Sequence, residues 1–259
     1  SNTGWGSYAL REITTGLGNA AFGYRALRSL TGGIDNTAVG AGALESLQTG
    51  IGNCAFGRLA LKSLLNAGAN TALGVSSFDN LEEGESNTAT GYGSGVRLIK
   101  GSRNTLYGVY AGGYYLGANS TVNCYFDDTC VFGSNAMSRN ITGQRNSIFG
   151  SYAAHLLTGG ENSAFGYNAL RNALETNNTV AIGAYSANRI INANKSVFVG
   201  YRCGESISQK IDVIGSTTIG ANAFSTRDNE IVIGKSTDTH VTIAGVEFTN
   251  AQLQALKNL

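Results

Sequence analysis

Proline is absent from the 259 residues. A backbone that hydrogen-bonds along nearly its whole length excludes Pro, which has no N–H to donate, so the gap favours a strand-rich, ladder-bonded chain. Charge is sparse: 14% of residues are Asp, Glu, Lys or Arg, and the formal net charge is +1. No basic face is implied, which argues against nucleic acid and an anionic membrane as partners. No apolar run approaches the ~20 residues of a membrane-spanning helix, so membrane insertion is not expected. The N-terminus has no charged-then-apolar leader pattern. The two histidines, His155 and His240, lack the neighbouring Ser or Cys and acid of a nucleophilic site. His155, in "SYAAHLL", reads as a surface or interface side chain, and His240 as exposed. Cys54, Cys124, Cys130 and Cys203 form no CxxC and no Cys–His zinc spacing. They read as small buried thiols, with Cys124 and Cys130 the only pair close enough in sequence to bridge. Neither cofactor nor metal is expected.

Glycine is abundant, at 36 residues, yet 42% hydrophobic content argues against a disordered linker. The glycines belong to a repeat. "GLGNAAFGYRAL" at 16–27 is rewritten as "GIDNTAVGAGAL" at 33–44 and "GIGNCAFGRLAL" at 50–61. The Gly closing each phrase falls at Gly6, Gly23, Gly40, Gly57, Gly74, Gly91 and Gly108, every step being 17. After a jump of 25 it resumes at Gly133, Gly150, Gly166, Gly183 and Gly200, and ends at Gly220 and Gly234. Ser1-Asn2 already lies inside a repeat, so the chain is read as a segment of a longer one.

Four residues before each Gly stands an Asn (Asn19, Asn36, Asn53, Asn70, Asn87, Asn104) or a Thr, Ser or Glu in its place. Asn stacks into hydrogen-bonded ladders and tolerates the left-handed backbone of a bend. Ala usually stands two before the Gly, and a bulky residue one before. Strand side chains alternate faces, so Ala and Asn share one face and the bulky residue the other. A second apolar phrase follows ("YRALRSL", "YNALRNAL"), then a "TG" or "GG" bend. The 17 residues read as strand, bend, second segment, bend, which stack as an all-β parallel solenoid. Two helices do not fit in 17 residues of this Gly and Asn content, although the second segment suits a short helical turn. Fourteen coils would make a rod roughly 60 Å long.

A roll lined by Ala and Asn is thin, with no room for Phe. Phe22, Val39, Phe56, Leu73, Phe149 and Phe165 would then form an apolar strip outside the single chain, and such a strip marks an interface that a homotrimer buries. The alternative turns the bulky face inward and needs no partner.

The phrases "NTAVGAGAL", "NTALGVSSF", "NSAFGYNAL" and "NNTVAIGAYSA" resemble the head repeats of trimeric autotransporter adhesins. The longer form with "G-Y-x-A-L" and a "TG" bend resembles repeats of bacteriophage tail fibres and tail spikes. The resemblance covers residues 1–234 and implies a left-handed parallel β-roll, intertwined or side by side in a homotrimer. It implies a virion tail fibre that binds a host cell-surface glycan or protein, or else the head of an adhesin on the bacterial surface. The 17-residue period, the four Cys and "YNALRNAL" depart from the adhesin pattern and favour the viral reading. Residues 235–259 read as a β cap followed by an incipient coiled coil. There Thr249 and Gln252 suit a capping box, and Leu253, Leu256 and Leu259 follow. "NEIVIGKSTDTHVTIAG" also resembles the stretch preceding a self-cleaving chaperone of phage fibres.

The eight extra residues of the long repeat place an insertion at about 109–132. Insertions in solenoids map to surface loops, and Tyr with carboxylates suits a sugar. Tyr110, Tyr114, Tyr115, Tyr125, Phe126, Asp127 and Asp128 are the receptor-binding candidates. Asp127/Asp128 and Glu82/Glu83 are the acid pairs that a glycan-degrading spike would require. Adjacent acids read more simply as a solvated turn, so no enzyme is expected. "GYGSG" at 91–95 is the repeat Gly plus a bend rather than a phosphate loop.

Overall fold

The computed structural model describes residues 1–113, 124–139, 142–206 and 210–234, with the strand backbones His240–Ile243 and Val246–Thr249. It is a parallel β-solenoid of about 13 turns with coils of about 17 residues. Fourteen short strands, from Thr3–Trp5 to Ile231–Ile233, form one continuous sheet. Equivalent residues of successive coils face each other: Ala38 lies opposite Ala55 and Val39 opposite Phe56. Strands ~4.8 Å apart give this stack a length of about 60 Å. The sheet keeps its register across the long repeat, Thr105 facing Cys130. Two smaller parallel pairs lie at the bend, Leu98–Lys100 with Cys124–Tyr125 and Asn192–Asn194 with Asp212–Ile214. His240–Ile243 and Val246–Thr249 pair antiparallel. The side chains of that hairpin, His240 included, and the helix start expected after Thr249 lie outside the described residues.

The orientation of the strands is settled by burial. Ala21, Ala38 and Ala55 are fully buried, whereas Phe22, Phe56 and Leu73 are 41%, 55% and 48% exposed. The bulky column therefore lies outside the coil. Columns of Leu from the second segment complete the core, Leu27, Leu44 and Leu61 in one and Leu30, Leu47 and Leu64 in another.

The repeat Gly turns the chain where two coils approach most closely. Gly23 has φ +138°, and a Cβ there would lie 2.6 Å from the carbonyl oxygen of Gly40. Both the dihedral and the contact exclude any side chain. The Asn does not itself make the bend, as the sequence suggested. The left-handed residue is the one before it: Asp35, Ala69, Ser86 and Arg103 have φ of 55°, 56°, 60° and 58°. Asn instead fills the inside of the corner. The Asn36 amide N–H₂ donates to Asn19 Oδ1 at 2.9 Å and to the Gly50 carbonyl at 2.8 Å. Its Oδ1 accepts from the Asn53 side chain and backbone N–H at 2.9 and 3.0 Å. Every polar atom of this buried amide is thereby satisfied, so the burial carries no desolvation debt.

The second segment is not helical. Residues two and four after the repeat Gly are left-handed, as in Arg25 (φ 58°) and Leu27 (φ 49°). Its N–H groups alternate in direction. Arg25 donates back to Ser7, Ala26 donates locally to Gly23, and Leu27 donates forward to Ala43. Helical spacing in "ALRSL" thus encodes a turn stitched to the coils on either side.

Nor is the interior too thin for Phe. Phe78, Phe126 and Phe198 are fully buried, each where a neighbour has shrunk. Phe198 stands at an Ala position, and Gly204 in the same coil replaces the core Leu; a Cβ there would lie 3.0 Å from the Phe198 ring. Leu106 and Gly112 repeat the exchange, with a Cβ–Leu106 distance of 2.9 Å. Phe78, at a Leu position, is accommodated by Gly95 one coil on, at 2.5 Å. Total volume is conserved while its distribution varies, as close-packed interiors require.

Two predictions follow from this packing. Gly23→Ala should cost about 2–4 kcal/mol, because strain and backbone overlap combine. Gly52→Ala should cost only about 1–2 kcal/mol, since Gly52 has φ +68° and open space around its Cβ site. Urea unfolding measures both. In the ladder, Asn53→Ala orphans the Ala67 carbonyl and the Asn70 N–H, at about 2–4 kcal/mol, while Asn36 Oδ1 keeps the backbone N–H of residue 53. Asn53→Thr should cost less, because Thr129 already holds an equivalent place, accepting from Asn146 and donating its own N–H to Asn104.

Candidate functional site

The extra residues of the long repeat enter between Gly113 and Cys124. A Cβ on Gly113 would lie 3.2 Å from the Arg97 backbone nitrogen, one regular coil back. By Tyr125 the chain is paired again with Lys100. Residues 114–123, including Tyr114 and Tyr115, lie outside the described residues. Tyr125, Phe126, Asp127 and Asp128 therefore belong to a regular coil beside the insertion rather than to the insertion itself.

This coil and its neighbours enclose a groove of about 320 Å³, lined by Glu83, Lys100, Ser102, Tyr125, Asp127 and Gln144 among others. Stacking supplies the site: counting one repeat back or forward from Tyr125 and Asp127 reaches Lys100, Ser102 and Gln144. Sequence reading missed these three because it searched along the chain and not across coils. Lys100 Nζ lies 2.8 Å from Glu83 Oε1, and that bond holds its pKa above the usual ammonium range. Asp127 Oδ1 accepts the Ser102 N–H at 2.6 Å, and Ser102 Oγ accepts the Glu85 N–H at 3.1 Å. The Tyr125 side is 42% exposed. A ring edge beside a cation, carboxylates, a hydroxyl and an amide can hydrogen-bond a polyhydroxylated ligand.

The other candidates separate. Phe126 is buried: its side chain is core, and its carbonyl accepts from Asn104 at 2.8 Å. Asp128 is the left-handed corner residue, φ 54°. It takes a two-point pair from Arg103, Nε–Oδ1 2.6 Å and Nη2–Oδ2 2.9 Å. Next in that column come Arg145 and Glu161, themselves paired, so charge alternates in sign over four coils. The Arg103 bond keeps the Asp128 carboxyl below its usual range, the opposite of what a general acid requires. Tyr110 lies on the second segment, edge-on to Tyr92 at 5.4 Å, away from the groove.

The outward strand column carries Phe22, Val39, Phe56, Leu73, Phe149 and Phe165. Four rings of it stack face to face: Tyr107, Phe132, Phe149 and Phe165, with centroid distances of 5.7, 4.9 and 4.9 Å. Cys54 is exposed on the same sheet face. All four cysteines are free thiols, so Cys124 and Cys130 do not bridge. Burial pushes Cys124 up to about 11 and Cys203 to about 12.

His155, half-buried, meets Ser138 one coil earlier, Nδ1 to Oγ 2.6 Å. It also contacts the Asn135 carbonyl at 3.4 Å, and no acid among the described residues orients this pair. Among the described residues no cluster of His, Cys, Asp and Glu could hold a metal ion. No family model, curated protein or solved structure matches the chain.

Neighbouring acids should respond differently to neutralisation. Asp128→Asn removes an exposed ion pair and should lower the melting temperature only slightly, and less in high salt. Asp127→Ala leaves the part-buried Ser102 N–H unpaired and should cost about 1–2 kcal/mol, mostly retained in high salt. Thermal unfolding at low and high ionic strength separates the two.

Proposed function

We propose that the chain is a shaft and receptor-binding segment of a trimeric bacteriophage tail fibre or tail spike, working by adhesion at the virion surface and not by catalysis. The observation that carries this reading is the outward bulky column. Trp5, Phe22, Phe56, Leu73, Tyr107 and Ile182 are between 41% and 78% exposed in the single chain. An aromatic and aliphatic strip this long exceeds what a soluble monomer leaves in water. Three copies around one axis, as left-handed β-rolls side by side, would cover it. The proline-free ladder supplies stiffness, and three equivalent groups of weak contacts supply avidity.

Recognition is assigned to the insertion and the groove beside it, with Tyr114, Tyr115, Tyr125 and Asp127 meeting a host cell-surface glycan. The groove's hydrogen-bonding groups and exposed ring support that ligand class.

Native mass measurement at micromolar concentration should return three chains; one chain overturns the packing argument. Cys54 reports on the same face. Thiolate is the reactive form, so the buried, raised Cys124 and Cys203 should resist iodoacetamide at pH 8 in any folded state. Cys54 should resist it in the assembly and react once the chains are separated. Replacing Tyr114, Tyr115 and Tyr125 by Ala should abolish adhesion to the host bacterium while the mass stays that of three chains.

A further inference from the structure

A formal net charge of +1 conceals a segregation that the coil geometry creates. Within the second segments after Gly133, Gly150, Gly166, Gly183 and Gly200 stand four arginines, Arg139, Arg171, Arg189 and Arg202, against one carboxylate, Glu205. Over the same span the opposite bend carries Glu161, Glu175 and Asp212 with Arg145, Lys195 and Lys210. Composition averages over both edges; the solenoid separates them.

Arg139, Arg171 and Arg189 are exposed, and no carboxylate among the described residues pairs with them. Arg202 shares Glu205 at 2.8 Å. His155 sits between Arg139 and Arg171, and burial followed by these two cations pushes its pKa down. Burial is the larger cause, and the two guanidiniums add to it in the same direction. Arg189 and Arg202 line a cleft of about 670 Å³ together with Asn172, Asn188, Asn222 and the Glu205 that pairs with Arg202. Among the described residues, neither Asn188 Oδ1 nor the buried Asn168 Oδ1 has a hydrogen-bond partner.

Tyrosines hold two of the four arginines in place. Arg171 lies over Tyr152 at 5.6 Å, and Arg202 over Tyr185 and Tyr201 at 5.7 and 5.6 Å. Tyr167, Tyr185 and Tyr201 meet edge to face at 5.3 and 6.4 Å. Guanidinium groups seated on rings lose less freedom when they bind. The same contacts occupy faces that a nucleobase would need for stacking, which disfavours single-stranded nucleic acid. Cations on four of five successive coils, with amides between them, fit a linear polymer that carries anions and hydroxyls in alternation.

We propose that this second-segment face, around Arg139, Arg171, Arg189 and Arg202, is a binding surface for an anionic polysaccharide. It is separate from the insertion groove and from the outward strand face, and it does not rest on the chain being a tail fibre.

The test uses the purified full chain and immobilised dextran sulfate, with neutral dextran and a single-stranded oligonucleotide as comparisons. Wild type should bind dextran sulfate, with affinity falling as salt rises, and bind neutral dextran negligibly. Arg171→Gln/Arg189→Gln should lower affinity about tenfold or more and flatten the salt dependence, by loss of two contacts that release counterions. Arg145→Gln/Lys195→Gln removes the same charge from the opposite edge and should change affinity less than about twofold. Arg171→Lys/Arg189→Lys should keep most of the binding and guards against a folding artefact. Equal losses in the two Gln pairs, absence of binding by wild type, or tighter binding to the oligonucleotide than to dextran sulfate would each overturn the proposal.

Discussion

Everything in this molecule is set by the distance between one coil and the next. Backbone hydrogen bonding fixes that separation at ~4.8 Å, and each side chain must accept a copy of its own position at that spacing. The repeat Gly meets the limit directly, since the next Gly carbonyl occupies the space of its missing Cβ. Asn meets it differently, by an amide that bonds to its own kind above and below. Ala fits because it is small. The three most regular positions of the repeat are three answers to one spacing.

Where spacing leaves freedom, the sequence uses it. The core requires a filled volume, not a fixed residue at each place, so Phe198 can take space that Gly204 gives up. Such exchanges run within a coil and between adjacent ones, as Phe78 and Gly95 illustrate. At the corner, alternating Arg103, Asp128, Arg145 and Glu161 solve a related problem: equal charges stacked at this spacing would repel, and alternation turns the column into attraction.

Much of this was legible in the sequence. The 17-residue period gave the coil, and strand alternation put Ala38 inside and Phe56 outside. The Asn column was recognisable because stacked amides satisfy each other. What stayed hidden depended on neighbours distant in sequence. Asn36 was credited with the bend that Asp35 makes, because both tolerate left-handed backbone and only the interior hydrogen bonds decide between them. "ALRSL" carries helical spacing, but its N–H groups are claimed by two other coils. Phe126 looked like an exposed aromatic beside acids, yet its register places it in the core. His155 and Ser138 stand 17 residues apart and within hydrogen-bond reach, invisible to a search for local catalytic phrases. The groove was half legible: Tyr125 and Asp127 were singled out, and Lys100, Ser102 and Gln144 come from other coils.

The hydrogen bonds that join the coils run along the rod axis, and each coil touches only its two neighbours. A pull on the two ends therefore does not shear a sheet; it peels the stack from one end. Each coil released lengthens the chain by its extended contour, about 17 residues at ~3.4 Å, less the ~4.8 Å it occupied in the rod. That is roughly 50 Å for one broken layer. A fold of this kind acts as a fuse as well as a strut: it is stiff in compression, and under tension it yields in equal increments while the remaining layers stay intact.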